Sequence, residues 1–199
     1  MTELPADLRI EHRKQLPDDL LFLIEKYPRE TWDGHANLGE MARFWLQRHD
    51  MFRELSGMLQ GSVGEYREGQ LSPVDFAQWF APRLRFFLQQ LHGHHQIEDL
   101  HYFPVFAKAE RRLQRGFDIL DSDHHVIHEA LERNSEKARA FLMSLQEQDS
   151  DRQRFAADAY ADENAGLIEM LTRHLADEED LIVPLILDRG EDNLGLAGG

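Results

Sequence analysis

The chain has 199 residues, 42% of them hydrophobic and 30% charged, with a formal net charge of −15 and no cysteine. That length suits one domain with a substantial buried core, and the negative charge repels phosphate backbones and anionic lipid, which argues against nucleic-acid and membrane-surface partners. Without cysteine there are no disulfides, iron–sulfur clusters or thiolate zinc sites, so any metal must be held by nitrogen and oxygen.

Residues 1–39 read as an N-terminal extension with a short helix. Pro17-Asp18-Asp19 places acidic residues in a first helical turn, LLFLIEKY supplies an apolar face, and Pro28 closes it. Arg29 to Glu40, with Gly34 and Gly39, reads as a loop. The opening residues lack the apolar core of a signal peptide. The run from Leu181 to Leu187, interrupted by Pro184, is too short to cross a bilayer. A cytoplasmic protein is expected.

Four long amphipathic patterns follow. In the first, Met41, Trp45, His49, Phe52, Ser56 and Leu59 advance by threes and fours, and GSVGEYREGQ is expected to break it. Ser72-Pro73 offers an N-cap and a first-turn proline for the second. There Leu84, Phe87, Leu91, His94/His95, Glu98 and Tyr102 continue one face, with a kink or restart at Pro82 and a bend at Pro104. The third, from about Phe117 to Leu145, aligns Leu120, His124, His128, Leu131 and Leu142. The fourth, from about Arg152 to Ile182, aligns Leu167, Leu171, His174, Glu178 and Leu181. Four such helices with modest connections predict an all-α fold: an antiparallel up-down four-helix bundle over residues 40–189, with a mobile tail at 190–199.

Three of the four helices carry a pair at one spacing: His94 with Glu98, His124 with His128, His174 with Glu178. Residues four apart on a helix share a face, with Cβ atoms roughly 5–6 Å apart. A single histidine on an apolar face reads as a hydrogen-bonded core group, and a single His-x-x-x-Glu pair as surface stabilisation. Both glutamates, however, fall on core stripes, where an ionised carboxylate costs several kcal/mol, of order 3–5, unless it is paired or metal-bound. With His49 the set is five imidazoles and two carboxylates, too many for one metal but suited to two. If both carboxylates bridge, the imidazoles divide three to two. A solvent-derived bridge then makes one metal six-coordinate and leaves the other an open position. Imidazole and carboxylate suit iron, manganese or zinc. The order His-before-Glu and the excess of histidine argue against a ferritin-like carboxylate centre.

The motifs HGHHQIEDLHYFPVF, DHHVIH and RHLADEEDLIVPLI, spread over roughly residues 40–188, resemble the hemerythrin family in its bacterial HHE cation-binding branch. The resemblance implies a four-helix bundle around a non-heme di-iron centre. It implies that His124, His128 and His174 hold one iron and His49 and His94 the other, with Glu98 and Glu178 bridging. Glu179 is the reserve carboxylate, at the spacing of the oxygen-carrying members. His95 and Asp99 form a parallel i,i+4 pair rotated about 100° around the helix, and are assigned neighbouring rather than ligating roles. His92, His101 and His125 are expected at solvent, and Trp45, Phe52 and Tyr102 in the core, with the Tyr102 hydroxyl a candidate donor to a bridging carboxylate.

The function expected from this reading is reversible binding or sensing of dioxygen or another diatomic at two iron ions. No acid–base or nucleophile arrangement stands apart from the ligands. A di-iron enzyme turning over peroxide or nitric oxide, with His95 and His101 delivering protons, is the alternative, and iron storage or sensing a third.

Overall fold

The computed structural model describes residues 4–196; residues 1–3 of the extension and 197–199 of the tail lie outside it. Among the described residues the chain is helical, without strands. A short helix α1 (Phe22–Lys26) precedes α2 (Glu40–Arg67), α3 (Pro73–Ile97), α4 (Phe103–Ala109), α5 (Gln114–Ser144), α6 (Ser150–Arg189) and α7 (Glu191–Leu194). No helix among these residues is long and apolar enough to cross a membrane.

Local chemistry sets the ends. The Ser72 hydroxyl accepts the Asp75 N–H at 3.1 Å and donates to the Asp75 carboxylate at 2.6 Å, and α3 starts at Pro73. The break expected over residues 61–70 falls in its last part: α2 runs through Gly61 and Gly64 and ends at Arg67. A helical glycine costs about 1 kcal/mol, and here the burial of Leu59, Ser62 and Val63 outweighs it. The helix stops at Gly69 (φ 75°), whose N–H bonds Tyr66 O while that of Gln70 bonds Glu65 O. This is a Schellman closure, which needs the left-handed residue. Pro82 lies inside α3 without a restart, and α6 passes Pro184 to end seven residues beyond the expected Ile182. Burial of every residue from Leu181 to Leu187 holds that last stretch helical.

Between α3 and α4, Glu98–Tyr102 form one π-helical turn, with Phe103 N–H bonded to Glu98 O. Pro104 explains why the chain widens here, because it has no N–H for the carbonyl of residue 100 and its ring crowds that carbonyl. The extra residue shifts the phase. His95, Glu98, Phe103 and Phe106 are buried in series, and Tyr102 is only half-buried.

The chain divides into two compact units. The first has its described residues in 4–50, 95–125 and 172–196, and the second is Met51–His94 with Val126–Leu171. In the first, the extension contributes to the core directly: Leu16, Leu20, Leu23 and Trp32 are buried in a cluster with Phe106 and Ile186. Each such side chain contributes about 1.5–3 kcal/mol by burial. Asp188 accepts from Lys26 Nζ at 2.6 Å and Tyr27 Oη at 3.1 Å, and Leu187 O accepts from Asn37 Nδ2 at 2.7 Å. The second unit closes on Phe76, Phe80, Phe141 and Tyr160, with a buried Asn134–Asn164 amide bond of 3.0 Å.

Residues 190–196 add a last short helix. Gly190 (φ 80°) turns the chain into α7, Leu194 is buried, and Glu191 accepts the Ala42 N–H at 2.8 Å, capping α2. This carboxylate anchors 190–196 against the start of α2, a non-local contact that composition does not reveal.

Glu110 ends α4, accepting from Arg112 twice at 2.8 Å and from Arg189 at 3.0 Å. The Arg112 hydrogen bond, opposed by burial, pulls its pKa down to about 2. A lowered pKa contributes stability that is present above the unfolded value and lost as pH falls through the folded one. Glu110→Gln should therefore lower the melting temperature by a few degrees at pH 7. The gap to wild type should close between pH 4.5 and about 2; a gap independent of pH would contradict the ion-pair account.

Candidate metal centre

The helical stripes deliver the site. Along α3 and into the π-helical turn, Leu84, Phe87, Leu91, His95 and Glu98 are buried at steps of three and four, so the imidazole of His95 and the carboxylate of Glu98 continue the core face. His49 on α2, His124 on α5, and His174 and Glu178 on α6 are likewise at 0–1% exposure.

Two groups of donors result. One is His95, His124 and His174; the other is His49, Glu98 and Glu178 with His94. Within each, one ligand atom per residue lies within 4.8 Å of all the others. The groups adjoin. His174 Nε2 and His49 Nε2 each lie 3.5 Å from Glu178 Oε2, and His124 Nε2 lies 3.7 Å from Glu98 Oε2.

Three imidazoles have a carboxylate at Nδ1: Glu179 to His49 at 3.0 Å, Asp99 to His124 at 2.6 Å, and Asp123 to His174 at 3.5 Å. An ionised carboxylate only accepts, so Nδ1 carries the proton and Nε2 presents its lone pair inward. His124 Nε2 and His174 Nε2 stand 3.0 Å apart. Two such lone pairs repel unless a cation lies between them. Two imidazoles bound at about 2.1 Å to one ion at a right angle would have nitrogens roughly 3 Å apart. Both Glu178 oxygens are buried without a hydrogen-bond donor. Trp45 Nε1, one turn before His49, donates to Glu98 Oε1 at 2.6 Å. The donor set fits a pair of divalent cations.

The electrostatics point the same way. Burial, with the charge of Glu98 beside it, pushes the Glu178 carboxyl well above the usual carboxylate range. Burial lowers the His174 imidazole to about 4, against the opposing pull of Asp123. The neutral imidazole is the ligating form, whereas the carboxylate needs a neighbouring cation to ionise.

Of the seven ligands expected from sequence, His49, His94, Glu98, His124, His174 and Glu178 lie in the two groups. His128 lies in the second unit, its ring 4.8 Å from that of His92, and belongs to neither group. His95, expected as a neighbour, is the third imidazole beside His124 and His174. It sits four residues after buried Leu91, a signal present in the sequence. Being fully buried, it does not offer the accessible proton donor that the enzyme reading gave it. Glu179 and Asp99 hold imidazoles at Nδ1. Asp123 and the Trp45 donor were not read from sequence; Asp123 directly precedes His124 and is fully buried, which only the fold reveals. The Tyr102 ring packs on Phe106.

Residues 40–186 match the family described as Hemerythrin HHE cation binding domain. The chain belongs to that family. Neither the curated proteins nor the solved structures compared with it give a match.

A raised carboxyl pKa means stability that is present below the unfolded value and lost as pH rises through the folded one. In metal-free protein, Glu178→Gln should therefore raise stability at pH 8 by roughly 1–3 kcal/mol, the usual range for relieving a buried polar group, while weakening metal binding. Calorimetric melting of the two metal-free proteins checks this, and a less stable variant would show that Glu178 is not an electrostatic burden.

Proposed function

We propose that this chain is a non-heme di-iron protein that binds or senses dioxygen or another diatomic. On this reading α2, α3, α5 and α6 form the family's antiparallel up-down bundle. His95, His124 and His174 would hold one iron, His49 and His94 the other, and Glu98 and Glu178 would lie between them. The observation that carries the reading is the pair of adjoining donor groups, buried and convergent, with Glu178 reaching toward an imidazole of each. Iron in such a site supplies reversible electron transfer to a bound diatomic.

The chain's own residues supply the rest. Trp45 fixes one oxygen of Glu98 and so its rotamer. Phe103 stacks on His124 with ring centroids 5.3 Å apart and, with Phe117, keeps that face apolar. Excluding water there favours binding over further reaction.

One observation favours turnover of peroxide or nitric oxide as a second reading. Asp99 lines a cleft of about 750 Å³ with Lys108, Arg111 and Asp121, while its carboxylate holds His124 Nδ1. A partly exposed carboxylate in contact with a ligand imidazole is placed to exchange protons with solvent.

Protein produced with iron and purified without added metal should contain two iron ions per chain, and its visible spectrum should change on exposure to oxygen and revert on its removal. One ion per chain would end the dinuclear reading. An oxygen-insensitive spectrum with steady consumption of peroxide or nitric oxide would favour the enzyme. Metal-dependent stabilisation should be largest near pH 7 and shrink towards pH 5, because the carboxyl of Glu178, raised by burial, takes up a proton in competition with the metal as pH falls. Coincident melting of metal-free and loaded protein at pH 7 would contradict this.

A further inference from the structure

Two arginines of the extension, both outside the family match, reach the carboxylates behind the imidazoles. Arg13 is 4% exposed. Its Nε donates to Asp177 at 2.9 Å, both Nη groups donate to Asp123, and Nη1 also donates to Leu8 O at 2.6 Å. Asp123 faces His174 Nδ1. Arg29 starts the 3₁₀ turn Arg29–Thr31. Its Nη1 donates to Glu179 Oε2 at 2.8 Å, while Glu179 Oε1 faces His49 Nδ1 at 3.0 Å. Arg29 also donates to Asp180 at 2.8 Å and to Ala176 O at 3.1 Å, and its guanidinium lies over the Trp32 ring. Two chains of arginine, carboxylate and imidazole thus end one in each donor group.

We propose that Arg13 and Arg29 are positioning residues of the metal centre, through which the extension holds the imidazoles of His174 and His49. The inference rests on the dinuclear metal reading. Exposed ion pairs ordinarily contribute little, but here the carboxylates are buried, Asp123 to 1% and Glu179 to 3%. Each has a second acid beside it on the same guanidinium, Asp177 and Asp180 respectively. Removing a guanidinium leaves two adjacent acids to repel each other and frees the carboxylate to rotate. The imidazole then loses its fixed direction. A guanidinium also draws charge from the carboxylate and makes Nε2 a weaker donor, which opposes the first effect. Orientation dominates, because loss of a partner behind a ligating histidine typically weakens metal binding about 10–100-fold.

The test is Co(II) titration of the full chain, followed by visible absorption and by chelator competition. Arg29 is the better target because its side chain is 43% exposed, so its replacement removes little core contact. Arg29→Gln should weaken one of two Co(II) ions about tenfold and alter the absorption bands at saturation. Arg29→Lys, which keeps the charge, should recover most of both. Arg133→Gln, which breaks the Arg133–Glu163 pair in the second unit, should change neither. An Arg29→Gln protein with wild-type affinity and spectrum overturns the inference while leaving the metal reading intact, as does an Arg29→Lys no better than the glutamine. A wild-type chain that takes up no Co(II) overturns the reading beneath it.

Discussion

Two glutamates at zero exposure, each facing imidazole nitrogens, are the constraint around which the first unit is arranged. Burying a carboxylate without a cation costs several kcal/mol, of order 3–5, once its partner is missing. A chain could avoid that cost by placing alanine or leucine at 98 and 178. That it carries glutamate at both positions, with histidines converging on them, is economical only if a cation completes the group. The 3.0 Å separation of the His124 and His174 Nε2 atoms makes the same demand once the Asp99 and Asp123 carboxylates hold the protons at Nδ1.

The surroundings follow from that demand. Lone pairs point inward because carboxylates fix the outer nitrogen of three rings, and Trp45 fixes one glutamate. The π-helical turn at Glu98–Tyr102 serves the same end. It keeps His95 and Glu98 on the core face while bringing Phe103, rather than Tyr102, against His124. The extension adds buried leucines and a tryptophan to the same unit, together with the arginines that hold the outer carboxylates. Ordering at the centre is built in layers, each made of residues distant in sequence.

Much of this is legible in the amino-acid sequence. The i,i+4 pairs on three helices announced a metal site, because two carboxylates on core stripes have no cheap alternative. The helices themselves were legible from apolar periodicity. What periodicity missed was phase. His94 and His95 are adjacent, and choosing between them by spacing to Glu98 favoured His94; the stripe through Leu91 pointed to His95, and the structure places both in donor groups. His128 shares a helix face with His124, but α5 buries Ile127 fully and leaves His128 half-buried. Within the break read over residues 61–70, Gly61 and Gly64 stay helical, because propensity is local and packing is not. Arg13 and Arg29 carried no signal at all. Their partners lie about 110 to 164 residues away, and only the fold brings them together.

The central claim is that the two adjoining donor groups together hold two metal ions. Anomalous X-ray diffraction from crystals of the iron-loaded chain, recorded at the iron absorption edge, tests it most directly. The account predicts two peaks, one against the Nε2 atoms of His95, His124 and His174, the other against His49 and His94, with Glu98 and Glu178 reaching both. A single peak, or a second iron bound through His128 with His95 turned away, would contradict it.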